Sequence, residues 1–555
     1  MPRRLETLRW IAVLWIVVFW RLGYASLMDP DEAHYAQLTR EMLQAGNWLV
    51  PLLDGIPFID KPVLFHWLQG AAITILGESE FAARLPTGLA AVALFGIVRW
   101  VGVVLFGATV GEWGAIMFAT VPATFALASI GLLDMVYTTF LFGAVGCLLV
   151  AARQGRPAIE WTGYALLALA VMTKGPVALV LVATFCGAAV VAGGELREGI
   201  SRLHWKSGLA VAAVAAAPWF AWMYVRFGDA FVQGYLLAGN LYYLTQPASF
   251  SGRAVSHTYY ARVVAGAFFP WSVIAAGRAI DLLMRRGDAP SAWRDEKLLW
   301  LWAATVVGLF SVARFKLDHY IFPAAPAVCL IAAKAWHEAA AGAYESRATR
   351  VCVVGLAGLL VLAGTFTSVY LFELNLELPE GAILLPVVLA LGGMALLGAV
   401  SAAGWQVPRT PQPLVITLLL VYAAVVAFGF PTLEHTRPTA LVATTLRQNT
   451  PADAPAALYR VEQWRASLRY YAGRPLARLT TPEELATFAA AQPRPVYIFM
   501  IRREYRSLRK ALGLREVFRC RAVVGTVRAA GGLRRQQWDD LIVVTNARAH
   551  ASWLP

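Results

Sequence analysis

The stretch Met172-Thr173-Lys174-Gly175-Pro176-Val177 decides how this chain is threaded. Apolar segments flank it, at 160–173 and 176–193. If the residues between them form a turn, these are two helices; if they bend a single helix, every later loop changes sides. Glycine and proline beside a lysine mark a turn at a surface better than a bend inside hydrocarbon. Two helices are therefore expected, joined by an external turn with Lys174 at its edge.

Outward from that turn, apolar runs of roughly 18 to 25 residues recur along most of the chain, long enough to cross a bilayer as helices. With 59% hydrophobic residues, 15% charged residues and a mean hydropathy of +0.58, a soluble globular protein is excluded. About thirteen spans are expected, at 7–25, 83–106, 109–128, 133–152, 160–173, 176–193, 207–226, 258–283, 297–313, 318–338, 350–372, 382–402 and 412–430. Arg3, Arg4 and Arg9 place the N-terminus in the cytoplasm as an uncleaved anchor. Arg153/Arg156, Arg197/Arg202/Lys206, Arg285/Arg286/Arg294 and Arg347/Arg350 then fall in cytoplasmic loops. An odd span count puts everything after Pro431 outside. The expected organisation is a polytopic α-helical membrane domain over 1–430 and a small periplasmic α/β domain over 431–555.

In that second part, Val496–Ile501 and Leu541–Thr545 read as buried strands, and Pro482–Ala491 and Arg503–Ala511 as helices. It holds 20 Lys+Arg and 9 Asp+Glu, so 20 − 9 = +11 of the chain's +14. A basic surface there suits anionic lipid, and no nucleic-acid partner is expected. Four of the five cysteines, Cys147, Cys186, Cys329 and Cys352, lie in apolar spans; with Cys520 they form neither a disulfide framework nor a thiolate zinc site.

External loops of this topology should be poor in cations, yet Lys61, Lys174, Arg253, Arg314 and Lys316 fall there, together with Asp29, Asp31, Glu32, Asp60 and Asp134. Single interfacial cations often snorkel to headgroups. Both signs of charge on one side are better explained by a shared site for a phosphorylated substrate, since ionisable residues at a membrane domain mark function by default. The first external loop, about 26–82, is long. Within it Asp31–Gln44, with Tyr35, Leu38, Met42 and Leu43 at helical spacing, reads as an interfacial amphipathic helix that Asp29 or Asp31 could cap. A second interfacial helix is expected near Lys61-Pro62. Asp134 is a lone carboxylate at the start of its span. Lys316 could instead pair with Asp318. The stretch 227–257, with Tyr235, Asn240, Tyr242, Tyr243, Gln246, Arg253 and His257, suits a sugar, a headgroup or an aromatic belt. A divalent ion stays open as a cofactor, with His34, Asp60 and His257 as candidate donors, although none has diagnostic spacing.

Several motifs, in this order, resemble bacterial aminoarabinose transferases. They are Asp29-Pro30-Asp31-Glu32-Ala33-His34-Tyr35-Ala36, Arg40-Glu41-Met42-Leu43, Gly46-Asn47-Trp48-Leu49-Val50-Pro51, Asp60-Lys61-Pro62, Met172-Thr173-Lys174-Gly175, Pro270-Trp271 and Lys316-Leu317-Asp318-His319-Tyr320-Ile321. The resemblance covers approximately 20–330. It implies a polyprenyl-phosphate-dependent sugar transferase of the C-type glycosyltransferase superfamily, which also contains protein O-mannosyltransferases. The implied reaction moves 4-amino-4-deoxy-L-arabinose from undecaprenyl phosphate to lipid A phosphates, a modification that confers polymyxin resistance, in the inner membrane with the site facing the periplasm. Two departures stand out: Asp60 where relatives more often carry Glu, and Asp318-His319 where they more often carry Pro-Thr. On this reading Asp31 is the principal catalytic carboxylate, with Glu32 beside it and Asp134 as a second positioning group. Lys61, Lys174, Arg253 and Lys316 meet the phosphate, and Tyr35, Asp60 and Tyr320 complete the substrate site. The rivals are a protein O-mannosyltransferase, which is another polyprenyl-phosphate enzyme, and a lipid flippase, for which internal repeats would be expected.

Overall fold

Each of the thirteen apolar stretches is helical in the computed structural model, which describes residues 2–242, 256, 258–284, 293–342, 346–373, 380–528 and 534–547. Among the described residues six helices are long and apolar enough to cross a membrane unaided: Glu80–Phe106, Leu133–Gln154, Trp205–Phe227, Arg347–Ser368, Leu384–Ala402 and Gln412–Thr436. A seventh results if Tyr259–Ala267 and Trp271–Met284 count as one span; they meet at 115° across Phe269-Pro270. Proline supplies no N–H to the helix ladder and its ring clashes with the preceding turn. The same residue type interrupts 109–128, where helix Ala108–Ala119 stops and Pro122–Leu127 begins.

The turn at 173–176 is present. Helix Pro157–Lys174 ends at Gly175, whose φ of +100° strains any residue with a Cβ, and helix Val177–Ala192 starts directly after Pro176. Helices Leu133–Gln154 and Pro157–Lys174 run antiparallel, so the N-terminus of one meets the C-terminus of the other.

Charged clusters mark both ends of this bundle. At one end Lys174 meets Asp134. At the other Arg153 donates to Asp295 at 2.5 Å, beside a buried network in which Arg278 and Lys334 share Glu296 and Glu338. Asp134 and Arg153 sit on the same helix. Their separation along its axis is about 28 Å at 1.5 Å per residue, close to the ~30 Å of hydrocarbon that a span must cross. Between the two layers the core is apolar, and its largest residues still satisfy their one polar atom. The indoles of Trp271, Trp302 and Trp336 donate to Thr120 Oγ1, the Pro323 carbonyl and the Pro408 carbonyl at 3.1, 2.9 and 2.8 Å.

In the long first loop, Asp31–Gln44 is a helix, a two-residue hairpin pairs β1 (Leu52–Leu53) with β2 (Ile56–Pro57), and a second helix runs Leu64–Leu76. After helix Thr439–Asn449 the chain builds a five-stranded sheet from β3 (Ala456–Tyr459), β4 (Ala477–Leu479), β5 (Tyr497–Ile501), β6 (Arg515–Arg528) and β7 (Arg534–Thr545). The order is β4-β3-β5-β7-β6, with β3 parallel to both neighbours and the β5, β7 and β6 pairings antiparallel. All five residues of β5 are buried because helices cover both faces. Tyr497, Phe499 and Ile501 pack with Val442, Leu446 and Leu468, while Ile498 and Met500 pack with Leu485 and Leu508. Helix Arg465–Ala472 of this part then lies on helix Asp31–Gln44. Arg469 bonds Glu41 at 2.6 Å, and Arg40 donates to the Tyr470 carbonyl at 2.6 Å with its guanidinium 3.7 Å from that ring.

Candidate functional site

The acidic turn 29–32 sends its three carboxylates in three directions. Asp29 accepts from the Ser467 amide at 2.9 Å and from its hydroxyl, near the start of helix Arg465–Ala472, so it holds the C-terminal sheet domain against the turn. Glu32 is buried and fully engaged. It takes Arg84 Nε at 2.6 Å and Nη2 at 3.0 Å, and accepts from the amides of Met28 at 2.8 Å and Gly131 at 2.6 Å. The sequence placed Glu32 beside Asp31 as a catalytic group. The structure gives it a tying role, because no lone pair is left for a substrate. Neither Asp29 nor Asp31 caps the helix as expected, since the N-cap position is Pro30.

Asp31 alone is uncommitted. It is exposed, and among the described residues its side chain makes no hydrogen bond or ion pair. Surrounding protein raises its carboxyl above the ordinary range by desolvation; His319 and Lys61 pull it down, while Asp134 and Asp60 push it up. That list of neighbours outlines a candidate site. Asp31, Asp60, Lys61, Asp134 and His319 are drawn from the first loop, the start of helix Leu133–Gln154 and the 3-10 helix Asp318–Ala324.

Lys174 joins them through Asp134 at 2.5 Å, and His319 Nε2 stands 3.8 Å from the other Asp134 oxygen. Each member of the lysine–aspartate pair suits its place: a carboxylate in the first turn of one helix and an ammonium in the last turn of the next both complement a helix dipole. Lys174 also lies 4.6 Å from the Tyr320 ring and 5.4 Å from Tyr137. Lys61 bonds Asp60 at 2.9 Å just before helix Leu64–Leu76. Tyr35 packs edge-on to Phe65. It feels Asp60, Asp134, Asp31 and Tyr320, and burial keeps its hydroxyl protonated.

Because Asp134 and Lys174 are both nearly buried, removing one leaves the other unpaired. Lys174→Met is expected to cost about 3 kcal/mol or more of stability. Lys174→Met with Asp134→Asn should recover part of that loss. A double-mutant cycle on thermal midpoints in detergent checks the coupling.

Other sequence candidates fall elsewhere. Lys316 donates to the Ser311 carbonyl at 2.7 Å and to that of Ala313, closing helix Trp293–Val312. It makes no ion pair with Asp318 among the described residues, and Asp318 accepts instead from the Tyr259 hydroxyl. Arg253, Tyr243, Gln246 and His257 lie outside the described residues. Of the metal donors, His34 packs against Phe58 at 4.8 Å, and burial lowers its basicity. Among the described residues no three His, Cys, Asp or Glu side chains converge on a metal position. Sequence reasoning passed over His319 as a site member and Arg84 as the partner of Glu32. An arginine in the first turns of an apolar span was the available signal for the second.

Known proteins share this arrangement of elements. Residues 60–222 match the family model described as dolichyl-phosphate-mannose-protein mannosyltransferase. The chain is 26% identical over 423 residues, 72% of each chain, to the undecaprenyl phosphate-alpha-4-amino-4-deoxy-L-arabinose arabinosyl transferase of Serratia proteamaculans. The crystal structure of ArnT from Cupriavidus metallidurans in the apo state superposes with a TM-score of 0.73 at 20% identity, covering 99% of both chains. The same protein bound to undecaprenyl phosphate gives 0.72 at 21% identity, again covering 99% of both. The chain therefore has the fold of these membrane glycosyltransferases.

Proposed function

We propose that this chain is an inner-membrane glycosyltransferase that moves 4-amino-4-deoxy-L-arabinose from undecaprenyl phosphate to the phosphates of lipid A. The site would open to the periplasm, the membrane domain would cross about thirteen times, and the sheet domain over 431–555 would lie outside. The observation that carries the reading is the gathering of Asp31, Asp60, Lys61, Asp134, Lys174 and His319 at one end of the bundle, in a chain with the fold of ArnT.

The chemistry follows from those groups. As the bond from sugar to lipid phosphate breaks, negative charge builds on the phosphate oxygens, and fixed cations in a partly dry site stabilise it. Lys61 and Lys174 fill that role. Their aspartate partners hold the ammonium groups in place before the lipid arrives, and tune how much charge they offer it. A lipid A phosphate is already anionic and needs no base. Asp31 then orients the acceptor or binds the cationic amino group of the sugar. His319 adds a third donor beside Asp134 when protonated.

A second reading, transfer of a polyprenyl-linked sugar to a hydroxyl, is favoured by the description of the family model over 60–222. There Asp31, with no competing partner, removes the hydroxyl proton. Expression in a strain lacking its own transferase, followed by mass spectrometry of lipid A, separates the two: an aminoarabinose adduct is expected, and unmodified lipid A with a glycosylated protein would support the second.

Asp31 must be ionised to act in either case. Its carboxyl is held above the ordinary range, so activity should decline as pH falls through that raised value, at higher pH than an unperturbed aspartate requires. A pH profile of transfer in membranes that stayed flat down to pH 4 would remove Asp31 from the chemistry.

A further inference from the structure

Beside the Glu32–Arg84 pair lies a small open cleft. It is lined by Arg21, Arg84, Asp29, Ser129, Glu434 and Arg437 among others, between the ends of the first and last apolar helices and the base of the sheet domain. None of the reactive groups assigned above, Asp31, Lys61, Lys174 or His319, lines it.

The carboxylates of this cleft each have partners: Glu434 Oε2 accepts from the Ser26 amide at 3.3 Å and hydroxyl at 2.9 Å, and Asp29 accepts from Ser467. Arg84 is spent on Glu32 and on the carbonyls of Leu22, Ala25 and Ser26. Arg21 differs. It is 5% exposed, and its guanidinium lies 4.9 Å from the Phe125 ring and 4.4 Å from Phe430. It makes one hydrogen bond, to the Ala126 carbonyl at 3.2 Å, and no ion pair among the described residues. A buried guanidinium with five donors and no anion is costly unless something anionic arrives. Ser129, 2% exposed in the same wall, has a hydroxyl with no partner, and Arg437 is exposed at the rim.

We infer that this cleft is a second anion site, taking a phosphate group that Arg21 and Ser129 bond from within and Arg437 meets from outside. With Arg84 held by Glu32, Arg21 and Arg437 stand against Asp29 and Glu434 at even charge, and it is the spare donors of Arg21 and Ser129 that a tetrahedral group with several acceptor oxygens matches. The first span ends here with Trp20 and Tyr24 exposed, the side chains that settle at headgroup level, so the phosphate is that of a membrane lipid. The site does not depend on the identity of the transferred sugar.

The test uses the full-length protein purified in detergent. Native mass spectrometry with phosphatidylglycerol and phosphatidylcholine reads headgroup preference, and thermal midpoints with inorganic phosphate read a free anion. The wild type should retain phosphatidylglycerol in preference to phosphatidylcholine, and Arg21→Gln should weaken that retention about tenfold. Ser129→Ala and the surface change Arg437→Gln, which leave the core charge in place, should each weaken it by a smaller factor. Phosphatidylglycerol retention without stabilisation by phosphate supports the site with a lipid source. Stabilisation by phosphate that disappears in Arg437→Gln supports it with a soluble source. Equal retention of both lipids together with no phosphate effect, or wild-type behaviour in both Ser129→Ala and Arg437→Gln, overturns it.

Discussion

Asp31→Asn should abolish transfer while leaving a protein that is folded, inserted and, at neutral pH, slightly more stable than the wild type. Loss of a general base, the role Asp31 takes with a hydroxyl acceptor, typically costs about 10²- to 10⁴-fold in rate. The stability gain comes from linkage. Desolvation by the surrounding protein raises the folded carboxyl above its unfolded value, so between the two values the folded state holds more protons than the unfolded state. Stability then falls as pH rises through that interval, and the ionised group remains a liability above it. Asparagine removes the liability. Lipid A mass spectrometry gives the activity arm and a thermal scan in detergent at pH 7 the stability arm. A variant that keeps the adduct, or one that loses it only because it no longer folds, would refute the assignment of Asp31.

The neighbouring residue should behave in the opposite way. Glu32→Ala strands Arg84, and Arg84→Ala strands Glu32, in a place where their side chains are 1% and 3% exposed. Breaking a buried pair by removing one partner costs about 3–5 kcal/mol, and here the amides of Met28 and Gly131 lose their acceptor too. Little folded protein is expected from either variant. Fluorescence size-exclusion profiles of tagged protein report this directly: a normal monodisperse yield of Glu32→Ala would mean that the pair is not what holds the acidic turn. Two adjacent carboxylates thus separate into one whose loss silences a folded protein and one whose loss prevents folding.

That separation could not be read from the chain. Asp31 and Glu32 are adjacent acids in one motif, and only the three-dimensional path brings Arg84 and Gly131 to the second. Local signals carried much of the rest. The Gly175-Pro176 turn, the helix Pro482–Ala491 and the strand at 497–501 follow from residues close in sequence. Asp134 and Lys174 were legible as charges out of place in apolar surroundings, though not as a pair, because contact across helices has no periodicity to betray it. Lys316 shows the converse. Its charge looked available, yet the carbonyls at the end of its own preceding helix claim it. Proline breaks at 122 and 270 were visible as residues, but the 115° angle at the second depends on packing that only the folded chain supplies.

The bond from Asp29 to Ser467 spans 438 positions of chain and ends two residues from Asp31. Together with Arg469–Glu41 and Arg40–Tyr470, it makes the C-terminal part a brace for the turn that carries Asp31. Losing the last quarter of the polypeptide would therefore damage the enzyme from the opposite terminus. A nonsense mutation late in the reading frame would phenocopy a lesion near its start, and the two ends of the sequence should tolerate change only in concert.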